Sequence, residues 1–191
     1  CVHMTALSDD DIGLLANSNS HVIHCPRSNM KLASGISPVD RLLKAGVNVA
    51  LGTDGAASNN RLNMLAELQM AALLAKIEAQ EATALSATAA LEIATLGGAR
   101  ALGLETELGS IKPGKAADLI AIDLSQPHTQ PLNNVISQVV YATSGSELTH
   151  SWVAGQALVR DGQPLTLAPA DILARAASWP KKFRAHQGFI D

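Results

Sequence analysis

The stretch from Val47 to Asn60 constrains the fold of this chain more than any other segment. It begins with an apolar run rich in β-branched residues, which is typical of a buried parallel strand. The run ends abruptly in Gly52-Thr53-Asp54-Gly55, so Asp54 stands at the carboxyl end of the predicted strand. In α/β folds this end of the strands carries the chemistry. Asp54 is therefore the first candidate site residue.

Asp54 also has an ordinary structural explanation. An Asp followed by Gly forms an Asx turn or caps the next helix far more often than it binds a metal ion. The flanking glycines, Gly52 and Gly55, favour a tight turn under either interpretation. The strand and its turn therefore leave two roles open for Asp54, a site carboxylate and a turn residue.

The composition of the chain argues against several classes of protein. Its 191 residues are 47% hydrophobic, which is enough to bury a core as one domain or as one domain with a small satellite. A net charge of −3 and an aromatic content of 3% argue against a nucleic-acid partner. No apolar run is long enough to span a bilayer, so we expect no membrane partner. With two cysteines, Cys1 and Cys25, and no apolar signal segment, the expected location is the reduced cytoplasm.

Helical and strand patterns alternate over the first hundred residues, which predicts an α/β fold with a parallel sheet. Ser8 and Ser37 are the predicted N-caps of the first two helices, with Pro38 at the first helical position and Ile12, Leu15 and Ala16 on the buried face of the first. The predicted order is helix 8–18, strand 21–25, helix 37–46, strand 47–53, and long helices over 62–80 and 86–104. The pair Gly97-Gly98 permits close packing or a bend in the last of these.

The pattern changes near Gly103 to that of a small β module. We predict two short strands around the Lys112-Pro113-Gly114 turn, another over 135–141, and a hairpin around Ala154-Gly155 that ends in an Asp-Gly turn at Asp161-Gly162. A polar helix over 169–186, interrupted by Pro180, closes the chain. The predicted parts are therefore 1–105, 106–167 and 168–191.

The histidines and the residues after Asp54 supply further candidates. His24 ends a predicted strand, and its neutral imidazole offers one donor and one acceptor to a metal ion or a substrate. A structural histidine is the alternative, because one His without a near partner is a weak metal signal. His3 and His21 are weaker candidates.

Ser58 and Asn59 follow Asp54 in the same loop. They are candidates for orienting a substrate or for bracing Asp54. The competing explanation is that they cap the helix that is predicted to start at Leu62.

Three motifs stand out by their order and spacing along the chain. They are His24-Cys25-Pro26-Arg27-Ser28-Asn29-Met30-Lys31-Leu32, Gly52-Thr53-Asp54-Gly55-Ala56-Ala57-Ser58-Asn59-Asn60 and Gly109-Ser110-Ile111-Lys112-Pro113-Gly114-Lys115-Ala116-Ala117-Asp118-Leu119. Together they resemble the amidohydrolase superfamily, and most closely its methylthioadenosine/S-adenosylhomocysteine deaminases, which are near neighbours of chlorohydrolases and guanine deaminases. The resemblance covers essentially the whole chain.

The resemblance implies the C-terminal part of a (β/α)8 TIM-type barrel and the C-terminal strands of a flanking β-sandwich. The strands over 21–25 and 47–53 would be the seventh and eighth of the barrel. Asp54 then matches the family's aspartate on strand eight, which ligates the metal and contacts the attacking water. One divalent metal ion is implied, usually zinc, with iron or manganese as alternatives.

The implied activity is hydrolytic deamination of 5′-methylthioadenosine or S-adenosylhomocysteine to the inosyl product and ammonia. A bound metal ion lowers the pKa of its water toward neutrality. Asp54 would take a proton from this water during attack on the ring and deliver it toward the leaving amine. The alternatives are a guanine, 8-oxoguanine or triazine hydrolase of the same superfamily and, from another class, a catalytically inactive scaffold relative.

The family's remaining metal-binding histidines and its acid/base glutamate are expected upstream of Cys1. Asp54 and one uncertain histidine fall short of the three protein ligands that a catalytic zinc ion normally needs. We therefore expect these residues to be the C-terminal portion of the enzyme, inactive without the N-terminal half of the barrel. The resemblance further implies a purine nucleoside substrate and a homo-oligomer.

Overall fold

A computed structural model describes residues 1–185 of the chain. Nine α-helices and six β-strands are formed in this part. In chain order they are α1 Asp9–Asn17, β1 His21–His24, α2 Pro26–Lys31, α3 Val39–Lys44, β2 Asn48–Leu51, α4 Met64–Ala79, α5 Ala87–Ala94, α6 Leu96–Ala101, β3 Leu119–Ile122, α7 Val135–Tyr141, β4 Leu148–Val153, β5 Gln156–Arg160, β6 Gln163–Pro164, α8 Pro169–Ala176 and α9 Trp179–Ala185.

Strands β1 and β2 are parallel neighbours, as their patterns predict. His21 pairs with Asn48 and His24 with Leu51, so the two strands end side by side. Val2 forms a parallel bridge to Ile23 on the other edge of β1. The segments that follow β1 and β2 therefore leave the sheet at the same edge. This edge is where a candidate site in an α/β fold is expected.

The first helices begin at or within one residue of their predicted N-caps. Ser8 forms the capping box of α1 with Asp11, whose backbone N–H donates to Ser8 Oγ at 3.2 Å. Ile12 and Leu15 are buried as predicted, but Ala16 is exposed. Helix α3 begins one residue later than predicted: Pro38, not Ser37, is its N-cap. Residues 26–31, between the predicted strand 21–25 and the predicted helix 37–46, form helix α2, because Pro26 suits a first helical turn.

The prediction of one helix over 86–104 is wrong in one respect. The segment forms two helices that meet at Thr95, whose φ of −124° and ψ of −86° are not helical. Of the glycine pair, Gly97 serves close packing, because a Cβ on it would overlap the carbonyl oxygen of Val49 in β2. Asn48 strengthens this contact, since its Nδ2 donates to Gly97 O at 3.0 Å.

The prediction of a strand over 135–141 is wrong, because these residues form α7. Val135 and its β-branched neighbours favour a strand locally. Asn134 decides otherwise, since its Oδ1 accepts the backbone N–H of Ser137 at 2.9 Å and caps a helix. Val140 of this helix is fully buried in the core formed with α4 and α5. Tertiary packing and a local cap therefore override strand propensity.

The β module is one four-stranded antiparallel sheet in the order β3-β4-β5-β6. The predicted hairpin around Ala154-Gly155 joins β4 to β5, and the Asp161-Gly162 turn leads to β6. The first of the two strands predicted around Lys112-Pro113-Gly114 is absent from the described chain. Lys115 explains this, because its ammonium donates to the carbonyls of Glu105 and Leu108 and folds the segment onto itself.

The chain continues after the sheet in two helices, α8 and α9, with Pro180 in the first turn of the second. The predicted end of this region at His186, and the remainder of the 168–191 part, lie outside the described residues. Within residues 1–185, no helix is both long and apolar enough to cross a lipid bilayer.

Candidate active site

Asp54 stands directly after β2 and carries two side-chain hydrogen bonds. Ser58 Oγ donates to Asp54 Oδ2 at 2.6 Å, and Ser28 Oγ donates to the same oxygen at 2.7 Å. These bonds, together with one from the Gly55 backbone, lower the pKa of Asp54 to about 2. The side chain is 33% exposed, so the carboxylate is open to solvent. Its low pKa keeps it ionised at pH 7, and the two serine hydroxyls orient it.

Asp54, Ser58 and Asn59 do not cap the next helix, α4. Asn63 takes that role, since its Oδ1 accepts the backbone N–H of Ala66 at 3.0 Å. The backbone N–H groups of Ser58 and Asn59 instead donate to Gly55 O at 3.2 and 2.9 Å, which closes a turn. The helix-capping explanation of this loop is therefore wrong.

His3 lies beside Asp54, although its sequence position made it a weak candidate. Its Nε2 is 3.8 Å from Asp54 Oδ2, and its Nδ1 is 2.7 Å from Asn29 Oδ1. The placement results from the bridge between Val2 and Ile23, which carries the first residues alongside β1. A pairing across twenty residues leaves no local signal in the sequence.

His24 ends β1 as predicted, but its side chain is buried, with 1% of the residue exposed. Neither ring nitrogen has a hydrogen-bond partner within the described residues. Burial, and then the neighbouring His3, lowers the pKa of His24 to about 4. The imidazole is therefore neutral at pH 7, and its role in substrate binding stays a prediction.

Asn59 is buried and braces the loop that carries Asp54. Its Nδ2 donates to Thr53 O at 2.9 Å and to Glu67 Oε1 at 2.7 Å, while its Oδ1 accepts the backbone N–H of Arg61 at 3.2 Å. These bonds use both amide hydrogens inside the protein. Of the two functional roles predicted for Asn59, the geometry therefore favours bracing.

Glu67 is the buried partner of Asn59, and sequence analysis did not single it out. It lies on α4, where the spacing of apolar residues indicates only a core-facing helix. Its Oε2 accepts the backbone N–H of Arg27 at 3.1 Å, and the Arg27 Nε is 3.6 Å from Oε1. Burial raises the pKa of Glu67, while the bonds from Arg27 and Asn59 oppose this. Because both oxygens face donors, the geometry fits the carboxylate.

Asp54 has the chemistry of a ligand for a divalent cation, since it is ionised, oriented and partly exposed. Across residues 1–185, no three His, Cys, Asp or Glu side chains are grouped so that they could hold a metal ion. Burial, and then Asp54 and Glu67, raises the pKa of Cys25 to about 11, which makes it an inert thiol.

Comparison with known proteins defines the class of this chain. The amidohydrolase family matches residues 1–158, and the chain belongs to this family. It is 55% identical over 185 residues to a 5-methylthioadenosine/S-adenosylhomocysteine deaminase of Teredinibacter turnerae, covering 97% of this chain and 42% of the relative. A deaminase of the same name from Moorella thermoacetica is 48% identical over 188 residues, covering 98% and 42%. The chain thus spans about two fifths of the length of these relatives.

A solved structure gives the same picture. The crystal structure of an adenosine deaminase from Xanthomonas campestris with bound zinc matches with a TM-score of 0.94 and 47% identity. The match covers 96% of this chain and 42% of that one. The arrangement of helices and strands described above is therefore that of an amidohydrolase.

Proposed function

We propose that this chain supplies the C-terminal part of a hydrolytic deaminase that acts on 5′-methylthioadenosine or S-adenosylhomocysteine. The observation that carries the proposal is Asp54, an ionised carboxylate oriented by two hydroxyls where two parallel strands end. The names of the relatives at 55% and 48% identity support the substrate class.

Asp54 serves as one ligand of a divalent metal ion, and zinc is favoured by the zinc in the Xanthomonas campestris structure. When bound, such an ion lowers the pKa of a water molecule toward neutrality. The Asp54 carboxylate would accept a proton from the attacking water as the water oxygen bonds to the ring carbon that bears the exocyclic amine. The proton then passes to the leaving nitrogen, the carbon–nitrogen bond breaks, and ammonia departs. Ser28 and Ser58 hold the carboxylate in place during this transfer.

The larger architecture is part of the same proposal. Strands β1 and β2 are the seventh and eighth of a (β/α)8 barrel, and the sheet β3–β6 belongs to a flanking β-sandwich. The parts are 1–105, 106–167 and 168–191. The remaining metal ligands come from the N-terminal half of the barrel, and the assembled cytoplasmic enzyme is a homo-oligomer. The separate parallel and antiparallel sheets support this division.

Replacement of Asp54 by Asn tests the proposed function. In protein purified from the complete gene, we expect Asp54→Asn to lower turnover by about 10²- to 10⁴-fold, because the proton acceptor is lost. Stability to urea should change little, since Asp54 is partly exposed. Asp10→Asn, an exposed carboxylate in the first turn of α1, is the matched control and should keep normal turnover. Ammonia release and metal content are the measurements.

The substrate panel separates the alternatives. It contains 5′-methylthioadenosine, S-adenosylhomocysteine, guanine, 8-oxoguanine and a chlorotriazine. Release of ammonia from guanine alone, or of chloride from the triazine, would replace the proposed substrate by another of the same superfamily. If the wild-type, metal-loaded protein shows no activity on any of these compounds, the alternative of a catalytically inactive scaffold protein is favoured. Near-normal turnover in metal-loaded Asp54→Asn would refute the role of Asp54.

A further inference from the structure

Glu67 is a charged side chain in the interior of the helical core. None of its surface is exposed to solvent, and it lies on α4 among apolar neighbours that include Leu68 and Ala71. A carboxylate is costly to bury unless it is well paired and hydrogen bonded. The groups that surround Glu67 therefore indicate what the residue is for.

The two oxygens of Glu67 bond to two different segments of the chain. Oε2 accepts the backbone N–H of Arg27 in the first turn of α2, at 3.1 Å. Oε1 accepts Nδ2 of Asn59 in the loop after β2, at 2.7 Å. Forty residues separate Glu67 from the first partner and eight from the second. One buried carboxylate therefore joins the segments that follow β1 and β2.

Each of these segments also carries one of the hydroxyls that bond Asp54. Ser28 is the residue after Arg27, and its Oγ donates to Asp54 Oδ2 at 2.7 Å. Ser58 is the residue before Asn59, and its Oγ donates to the same oxygen at 2.6 Å. The chain neighbours of both serines therefore bond to Glu67.

We propose that Glu67 is a positioning residue for Asp54: it holds the Ser28 and Ser58 segments together and so fixes the direction of the carboxylate. This inference rests on the proposed function only in treating Asp54 as a metal ligand. Hydrogen-bonded groups behind a ligand tune metal affinity, and their loss typically costs 10- to 100-fold. The competing explanation is that Glu67 only stabilises the core.

Glu67→Gln separates these explanations with little change of shape. The amide nitrogen of Gln must face either the Arg27 N–H or the Asn59 amide, so one donor meets another donor. In protein purified from the complete gene, we expect zinc affinity, measured by chelator competition, to fall about 10-fold. With substrate, kcat should fall while KM changes little, because the binding surface is unchanged and only the direction of the Asp54 carboxylate is altered.

Leu42→Ala is the matched control for loss of stability. Leu42 is fully buried in the same core on α3 and is hydrophobic, so it makes no polar side-chain contact. Its truncation leaves a cavity and destabilises the protein without touching the network on Asp54. Zinc affinity of the folded Leu42→Ala protein should stay within about twofold of wild type, the additivity limit for independent sites. Equal losses of zinc affinity in Glu67→Gln and Leu42→Ala would overturn the proposal.

A double-mutant cycle tests the route through the serine. If Glu67 acts through Ser58, zinc affinity in the Glu67→Gln/Ser58→Ala protein must fall by less than the product of the two single losses. Losses that multiply would refute that route. If Glu67→Gln fails to fold, Glu67→Asp replaces it in the cycle, because the shorter side chain cannot keep its bonds to both Arg27 N–H and Asn59.

Hydrogen exchange of the metal-free protein gives a readout that needs neither zinc nor turnover. Amides of the turn after Asp54, including that of Asn59 bonded to Gly55 O at 2.9 Å, should exchange about tenfold faster in Glu67→Gln than in Leu42→Ala. Unchanged exchange in this turn would overturn the proposal. If wild type binds no zinc, the proposed function fails, and the exchange experiment still decides the role of Glu67.

Discussion

Asp54 occupies the left-handed region of the backbone, with φ of +59°. Asp and Asn enter this region more readily than most residues, and the turn it creates directs the chain away from the sheet immediately after β2. The local sequence thus explains where the carboxylate stands. Its hydrogen-bond partners, Ser58 and Ser28, explain why its pKa lies below the ordinary value of 3.8, and only Ser58 lies in the same loop.

Glu147, a carboxylate in the C-terminal half of the chain, also has a pKa that hydrogen bonds lower. Its side chain is almost fully buried, and its Oε2 accepts the backbone N–H groups of Ser144 and Gly145 at 3.0 and 2.9 Å. His128 Nε2 lies 2.7 Å from Oε1. Burial raises the pKa of Glu147, but these donors outweigh burial and lower it to about 2.

We predict that Glu147→Gln lowers the free energy of unfolding at pH 7 by about 1–3 kcal/mol, because one set of buried donors loses its acceptor. The folded pKa of about 2 lies below the ordinary value of 4.5, so the stabilisation is complete above pH 4.5. It is lost as the pH falls from 4.5 toward 2, and the difference between the proteins should shrink over that window. Urea unfolding between pH 2 and 7 measures this; a difference independent of pH would contradict it.

At the scale of elements, α6 packs tightly against β2 of the parallel sheet. Gly97 faces the Val49 carbonyl with no room for a Cβ, whereas a Cβ on Gly98 would meet nothing within 4 Å. Two adjacent glycines of one short helix therefore differ in how strictly glycine is required. Packing against β2 requires glycine at position 97, whereas no contact in the described structure requires it at position 98.

The glycine pair makes a matched experiment. Gly97→Ala should lower the free energy of unfolding by about 1–3 kcal/mol, because α6 must move away from β2. Gly98→Ala should leave it unchanged or raise it by about 0.5–1 kcal/mol, because Ala is favoured over Gly inside a helix. Urea denaturation of both variants measures the difference. Equal effects at the two positions would show that helix propensity, not the contact with Val49, decides.

At the scale of the whole molecule, the chain spans 42% of the relatives it matches, and Asp54 is one proposed metal ligand where a catalytic zinc ion uses three. The parallel strands β1 and β2, with Val2 beside β1, form a sheet whose remaining neighbours in the proposed barrel come from outside the described residues. Under the proposed function, these outside parts also complete the metal site.

A chimera tests this view. The chain replaces the matching 185 residues of the Teredinibacter turnerae deaminase, to which it is 55% identical. We expect the chimera to bind zinc and release ammonia from 5′-methylthioadenosine within about tenfold of the parent rate, a difference of about 1.4 kcal/mol in barrier. The 191-residue chain expressed alone should show no turnover. An active isolated chain would contradict the proposed incomplete site.

Near neighbours in the sequence account for the capping of α1, the strand state of β1 and β2, the hairpin between β4 and β5, and Asp54 after a strand end. Periodicity, caps and turn residues act over a few positions, so a single sequence contains them. Tertiary structure decided what depends on distant segments. The place of His3 beside Asp54 and the bonds of Glu67 each need a partner that folding brings close. Helix α7 needs the burial of Val140 in addition to its local Asn134 cap. Burial and pairing energies across such distances outweigh local propensity, and no local pattern records them.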